Sequence, residues 1–130
     1  VGKGIVDALN TGSEIAKGKY ITRMDADDIM SENKIEILRS LLEKKKTKHI
    51  AVGNVKYFAS KKPMGNGYLK YANWLNELTS NKKNFKEIYK ECTIPSCSWM
   101  MHRSDFENIK GFNSFSIKYF IFKGMKFSNR

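Results

Sequence analysis

Three of the thirteen acidic residues fall in one four-residue stretch, Asp25-Ala26-Asp27-Asp28, of a chain that otherwise carries a large excess of base. Asp25 and Asp27 lie two apart, so extended backbone would turn their carboxylates to the same side. Like charges held that close raise each other's pKa, and a hard divalent cation relieves the repulsion. Mg²⁺, or Mn²⁺ in its place, is typically held by one or two carboxylates and completes its shell with water and phosphate oxygens. The pattern therefore suits a cation that bridges the chain to a diphosphate. An EF-hand calcium loop would match Asp25, Asp27 and Glu36 at its first, third and twelfth positions. It fails because Ile29 stands where a ligand is needed and Met30 where glycine makes the turn. A plain acidic turn that caps the next helix stays open.

Cys92, Cys97 and His102 recur at five-residue steps, and thiolate and imidazole are ligands that zinc favours. Closed zinc sites bring their ligands in tight pairs, however, and the fourth ligand would have to be the distant His49. Buried thiols and a surface histidine are the simpler reading.

The elements that must position these residues alternate in type. Ile5, Ala8, Leu9, Ile15 and Ala16 fit a helical face from 5 to 17, with Gly18 placed as a stop. Residues 20–24 read as a short strand that ends at the acidic cluster. A helix capped by Ser31 follows, with Ile35, Leu38 and Leu42 in one stripe and Lys44, Lys45 and Lys46 at its end. Residues 49–58 read as a second strand and 61–67 as a loop. Residues 68–79 and 84–91 have helical spacing, and 97–102 reads as a third strand. Ser104 and Glu107 have the spacing of a capping box. Helix and strand in alternation predict an α/β fold with a mainly parallel sheet flanked by helices. Such folds bind ligands at the carboxyl ends of their strands, where the aspartates stand.

In combination, Ala8-Leu9-Asn10-Thr11-Gly12, Ala16-Lys17-Gly18-Lys19-Tyr20-Ile21 and Met24-Asp25-Ala26-Asp27-Asp28-Ile29 resemble the signature of family 2 glycosyltransferases of the GT-A fold. Downstream, Trp74 to Thr79 and Ile94 to Asn113 are similar to the acceptor-side half of such enzymes, with a flavour of the β-1,3-N-acetylglucosaminyltransferase-like group. The resemblance implies transfer of a sugar, usually with inversion, from a nucleotide-diphosphate donor, UDP-linked by preference, to a hydroxyl on a glycan, lipid or protein. It implies Asp27 as ligand of a divalent cation (Mn or Mg), with Asp25 touching the donor ribose or sharing the metal. Asp28 would support them, and Asn10 would stand on the donor side. Trp99, with Ser96 and Ser98, would line the acceptor side, although an apolar run favours Trp99 as a core residue.

Some positions depart from the pattern. Leu9 stands where many members have Arg, and Ser31 replaces a common Pro. The family usually places a general base in an acidic pair after its Gly-Phe-Asn block. From Ser114 to Arg130 there is no Asp or Glu, so the catalytic base is unassigned. The expectation is a partial glycosyltransferase domain over 1–113 and an atypical basic, aromatic tail over 114–130, truncated or frame-shifted. Val1 in place of Met, and the lack of a nucleotide-binding strand before it, suggest a fragment.

Composition bounds the alternatives. A formal charge of +11, 41% hydrophobic and 12% aromatic residues describe a chain that folds and attracts anions. A basic nucleic-acid-binding module and a non-catalytic remnant are the rival readings. The lysines are scattered, and no recognised nucleic-acid motif occurs, so no specific nucleic-acid partner is expected. No apolar run is long enough to span a bilayer, and two cysteines suit a reducing, cytoplasmic setting.

Overall fold

The computed structural model describes residues 4–112 and 126–128. The tail from 114 to 125, where the missing base would stand, lies outside the described residues. Strands β1 (Tyr20–Thr22), β2 (His49–Val52), β3 (Trp99–His102) and β4 (Lys126–Ser128) form one sheet in the order β1-β3-β2-β4. β3 runs antiparallel to both β1 and β2, so Met101 faces Ile21 on one side and Ile50 on the other. β2 pairs with β4 in parallel.

The expected mainly parallel sheet is therefore corrected. β1, β2 and β4 share one direction, as the β1-helix-β2 alternation requires, but that crossover leaves a gap one strand wide. β3 fills it from the opposite direction, so two of the three ladders are antiparallel.

Side chains alternate across the sheet with the period of two that extended backbone imposes. Ile21, Ile50, Val52, Trp99 and Met101 face one way, onto Ile94, Phe106 and Phe112 and the half-buried Val6 and Leu9. Ala51, Met100 and Tyr20 face the other way, onto Leu38, Leu41 and Leu42. Those leucines belong to α2 (Lys34–Glu43), where a spacing of four puts Leu38 and Leu42 on one face. Burying each contributes about 1.5–3 kcal/mol. α2 starts three residues after the expected cap: Ser31 instead accepts the Lys34 N–H through its carbonyl in a preceding turn (3.1 Å).

α1 (Ile5–Ile15) lies on the face opposite α2 and buries none of its residues fully. α3 (Asn66–Ser80) inserts Ala72, Leu75 and Leu78. α4 (Asn84–Glu87) is half the expected length. Asn84, fully buried, donates to Thr79 Oγ1 and to the Thr93 carbonyl (3.0 Å each), while Thr93 Oγ1 donates to the Asn84 carbonyl (2.8 Å). That knot anchors the segment leading to Pro95.

α5 (Arg103–Asn108) begins before Ser104, so the expected Ser104 cap does not form. Its first N–H donates to the Lys19 carbonyl (2.9 Å) instead. Beyond α5, Lys110 (φ 64) and Gly111 (φ 65) are both left-handed, and Gly111 N–H donates back to Phe106 O at 3.0 Å. The reversal lays Phe112 edge-on against Phe106 and Trp99 (4.9 and 6.4 Å between centroids).

Candidate active site

The acidic stretch leaves the carboxyl end of β1 as a turn, with Asp28 N–H donating to Asp25 O at 3.2 Å. Extended backbone, the premise that aligned Asp25 with Asp27, is thus replaced by a bend. The bend still brings Asp25, Asp27 and Asp28 to the wall of one cleft of about 360 Å³. Val55, Lys56 and Tyr57 after β2, Tyr71 of α3 and the Pro95–Cys97 turn complete it.

Two side-chain contacts dock the acidic turn onto the turn at 95–98. Ser96 Oγ donates to Asp25 Oδ2 at 2.6 Å, and the Cys97 thiol lies beside the Asp28 carboxylate. Arg23 completes the hold on Asp25 through Nε (2.8 Å) and a second guanidinium nitrogen (2.7 Å), both on Oδ1. Partial burial pushes the Asp25 carboxyl up, but the Ser96 hydroxyl and the Arg23 guanidinium outweigh it and hold it below the usual carboxylate range. Asp27 is exposed and, among the described residues, has neither an ion pair nor a hydrogen-bonded partner. Asp25 is thus a fixed carboxylate and Asp27 an open one.

Lys34, the first residue of α2, reaches under this pair of turns. Its ammonium donates to the Cys97 carbonyl and approaches Met24 Sδ at 3.7 Å. Burial lowers its pKa, while Cys97 and Asp28 work against that fall. The Cys97 thiol is pushed up to about 11 by burial and by the Asp28 carboxylate, so it stays protonated near neutral pH. Beyond Lys34 opens a larger cleft of about 600 Å³, walled by Ile37, Leu41, Val52, Val55 and Phe58. The wall shared by both clefts is the segment after β2. Asn76 of α3 holds it, accepting the Val55 N–H (2.9 Å) and donating to the Val55 carbonyl (2.8 Å) as a neighbouring strand would.

Three residues assigned to the site by the sequence lie outside the aspartate cleft. Trp99 is 1% exposed in the core, so its indole presents no face to an acceptor. Ser98, next to it, is buried and donates to the Pro95 carbonyl (3.1 Å), with its edge on the larger cleft. Asn10 spends its amide on the Phe112 backbone, donating to its carbonyl (2.8 Å) and accepting its N–H (3.0 Å). It locks the corner after α5 and lines neither cleft. Nor do Cys92, Cys97, His102 and His49 gather: among the described residues, no three His, Cys, Asp or Glu side chains converge as a metal site would require. Conversely, Arg23, Lys34, Lys56, Tyr57 and Tyr71 belong to the site and carried no motif. Their only signal was the position of Arg23 and Lys34 close to the aspartates.

Residues 1–110 match the family model described as Glycosyl transferase family 2, and the chain belongs to that family. Membership brings with it the GT-A nucleotide-sugar transferase fold. Among characterised proteins it is similar to one named Glycosyltransferase GlyG from Streptococcus pneumoniae serotype 4, with 40% identity over 65 residues. That match covers 50% of this chain and 21% of the relative, so the chain spans about a fifth of that protein's length. No solved structure matches the chain. No helix among the described residues is long and apolar enough to cross a membrane.

Proposed function

We propose that the chain is the donor-handling part of a glycosyltransferase that moves a sugar from a UDP-linked donor to an acceptor hydroxyl. The observation that carries this reading is the acidic turn at the end of β1, whose three carboxylates share one cleft with one fixed and one open. A Mg²⁺ or Mn²⁺ ion bound through one or two carboxylates and a diphosphate needs no preformed cage of three protein ligands. The donor set here fits that description. Asp27 is the carboxylate free to hold the ion, and Asp25, tied to Arg23 and Ser96, is the second oxygen source beside it. When bound, the cation neutralises charge that develops on the leaving diphosphate.

The chain's own residues supply the frame. Ser96 and Arg23 keep the Asp25 carboxylate ionised and oriented. Lys34 ties the 95–98 turn to α2 through the Cys97 carbonyl, which holds that turn beside the carboxylates. A frame tied by these hydrogen bonds leaves little reorganisation for binding to drive.

Calorimetric titration with UDP in Mn²⁺ tests the proposal. Binding is expected to vanish with a chelator and to weaken about tenfold or more in Asp27→Ala, the loss of one charge-assisted contact. UDP binding that ignores both chelator and Asp27→Ala sinks it.

A further inference from the structure

With Trp99 in the core, the acceptor side needs another surface, and the cleft that holds the aspartates has one. Its wall opposite the acidic turn carries Tyr57 and Tyr71, whose rings lie 6.3 Å apart. Tyr68, 63% exposed, extends the array from Tyr57 (6.4 Å), and Trp74 stacks on Tyr71 at 5.7 Å and 29°. Four rings from α3 and the segment after β2 thus form a continuous aromatic strip whose two middle members, Tyr57 and Tyr71, line the cleft of the three carboxylates.

We infer that this strip is a saccharide subsite, so that the acceptor is a glycan whose ring stacks on Tyr57 and Tyr71 while its hydroxyls face the aspartates. The inference rests on the proposed glycosyl transfer and narrows it to one class of acceptor.

The chemistry favours a neutral polyol over the other acceptor classes. Aromatic faces are electron-rich and suit the electron-poor C–H face of a pyranose. The carboxylates at the cleft accept hydrogen bonds, which suits the hydroxyls of a polyol. Burial pushes the Tyr71 phenol up to about 12 and raises Tyr57 as well; the Tyr71 hydroxyl donates to the Cys92 carbonyl at 3.4 Å, so it is the ring of Tyr71 that is offered to the cleft. Tyr57 and Tyr71 are half-buried and Tyr68 is open, so ring area is left uncovered where a core cluster would close it.

Trp74 offers a readout, because the chain's other tryptophan, Trp99, is sealed in the core. The emission of the whole chain would be titrated with the methyl glycosides of glucose, galactose and N-acetylglucosamine. Parallel arms would use a polyprenyl phosphate in detergent and a serine-rich peptide. At least one glycoside is expected to bind in about the millimolar range, with a loss of about tenfold or more in Tyr57→Ala and in Tyr71→Ala. Tyr57→Phe keeps the ring and is expected to retain binding, and circular dichroism confirms that each variant is folded. The inference is overturned if no glycoside binds, if Tyr57→Ala and Tyr71→Ala bind like the parent, or if only the lipid or the peptide binds. UDP titration of the parent chain separates the two proposals. UDP binding without saccharide binding refutes the subsite alone, and saccharide binding without UDP binding refutes donor transfer alone.

Discussion

Asn76→Ala removes the clamp on the wall between the two clefts. The wild-type side chain makes two hydrogen bonds to Val55, at 2.9 and 2.8 Å, in a half-buried setting. β2 ends at Val52, so beyond the Gly53 N–H bond to the Ser98 carbonyl (2.7 Å) the strand pairing stops and Asn76 takes over. Two hydrogen bonds at about 0.5–1.5 kcal/mol each give a loss of about 1–3 kcal/mol, toward the upper end because the Val55 N–H and carbonyl lose their partner. For a domain of this size that is a drop in Tm of about 4–12 °C. Urea denaturation and thermal melts measure it, with the exposed neighbour Asn73→Ala as the reference for loss of an amide that holds nothing. The change should also loosen Lys56 and Tyr57, so glycoside binding should fall with stability. If Asn76→Ala and Asn73→Ala agree within about 0.5 kcal/mol, the ordinary range for surface changes, the clamp is dispensable and the reasoning fails.

Two further predictions follow from single contacts. Ser96→Ala removes one of the groups that hold the Asp25 carboxyl below its ordinary value, so NMR titration should show that pKa rising. A depressed carboxylate pKa stabilises the fold above the unfolded pKa and loses that stabilisation as pH falls through the folded one. The variant should therefore be weaker at pH 7, by under about 1 kcal/mol for a carboxylate one-third exposed, and equal to the parent once Asp25 is protonated in both. An unmoved Asp25 titration would show that Ser96 does not act on it. Gly111→Ala meets both a left-handed backbone (φ 65) and a Cβ only 3.0 Å from Asn10 Oδ1, and should cost about 1–3 kcal/mol. Adding Asn10→Ala removes the obstacle, so the pair should cost less than the sum of the two single changes in chemical denaturation. Strict additivity would place the strain elsewhere.

The order of elements up to α5 and the acidic cluster at the end of a strand could both be read from the chain. They depend on neighbours within a few residues, where periodicity and strand or helix preference act directly. Boundaries failed where distant partners decided them. The Asn84 side chain ties the start of α4 to Thr79 and Thr93, and the helix stops at Glu87, short of the expected 91. α5 starts early because Arg103 N–H finds Lys19, eighty-four residues back in the chain. The direction of β3 was illegible for the same reason: both antiparallel and parallel insertion satisfy its alternating pattern, and only its pairing with β1 and β2 shows which is used.

The site divides along the same line. By itself the sequence determined that carboxylates would cluster at the end of β1, because Asp25, Asp27 and Asp28 are covalent neighbours that no packing can separate. Only the tertiary structure decided what each of them does. Asp25 is fixed by Ser96, seventy-one residues away, whereas Asp27 is left open to solvent. It also exchanged the aromatic residues, sinking Trp99 into the core and bringing Tyr57 and Tyr71 to the cleft. An aromatic side chain in an apolar run has the same local signature whether it ends inside or at a ligand, and the sheet face on which it lands makes the difference.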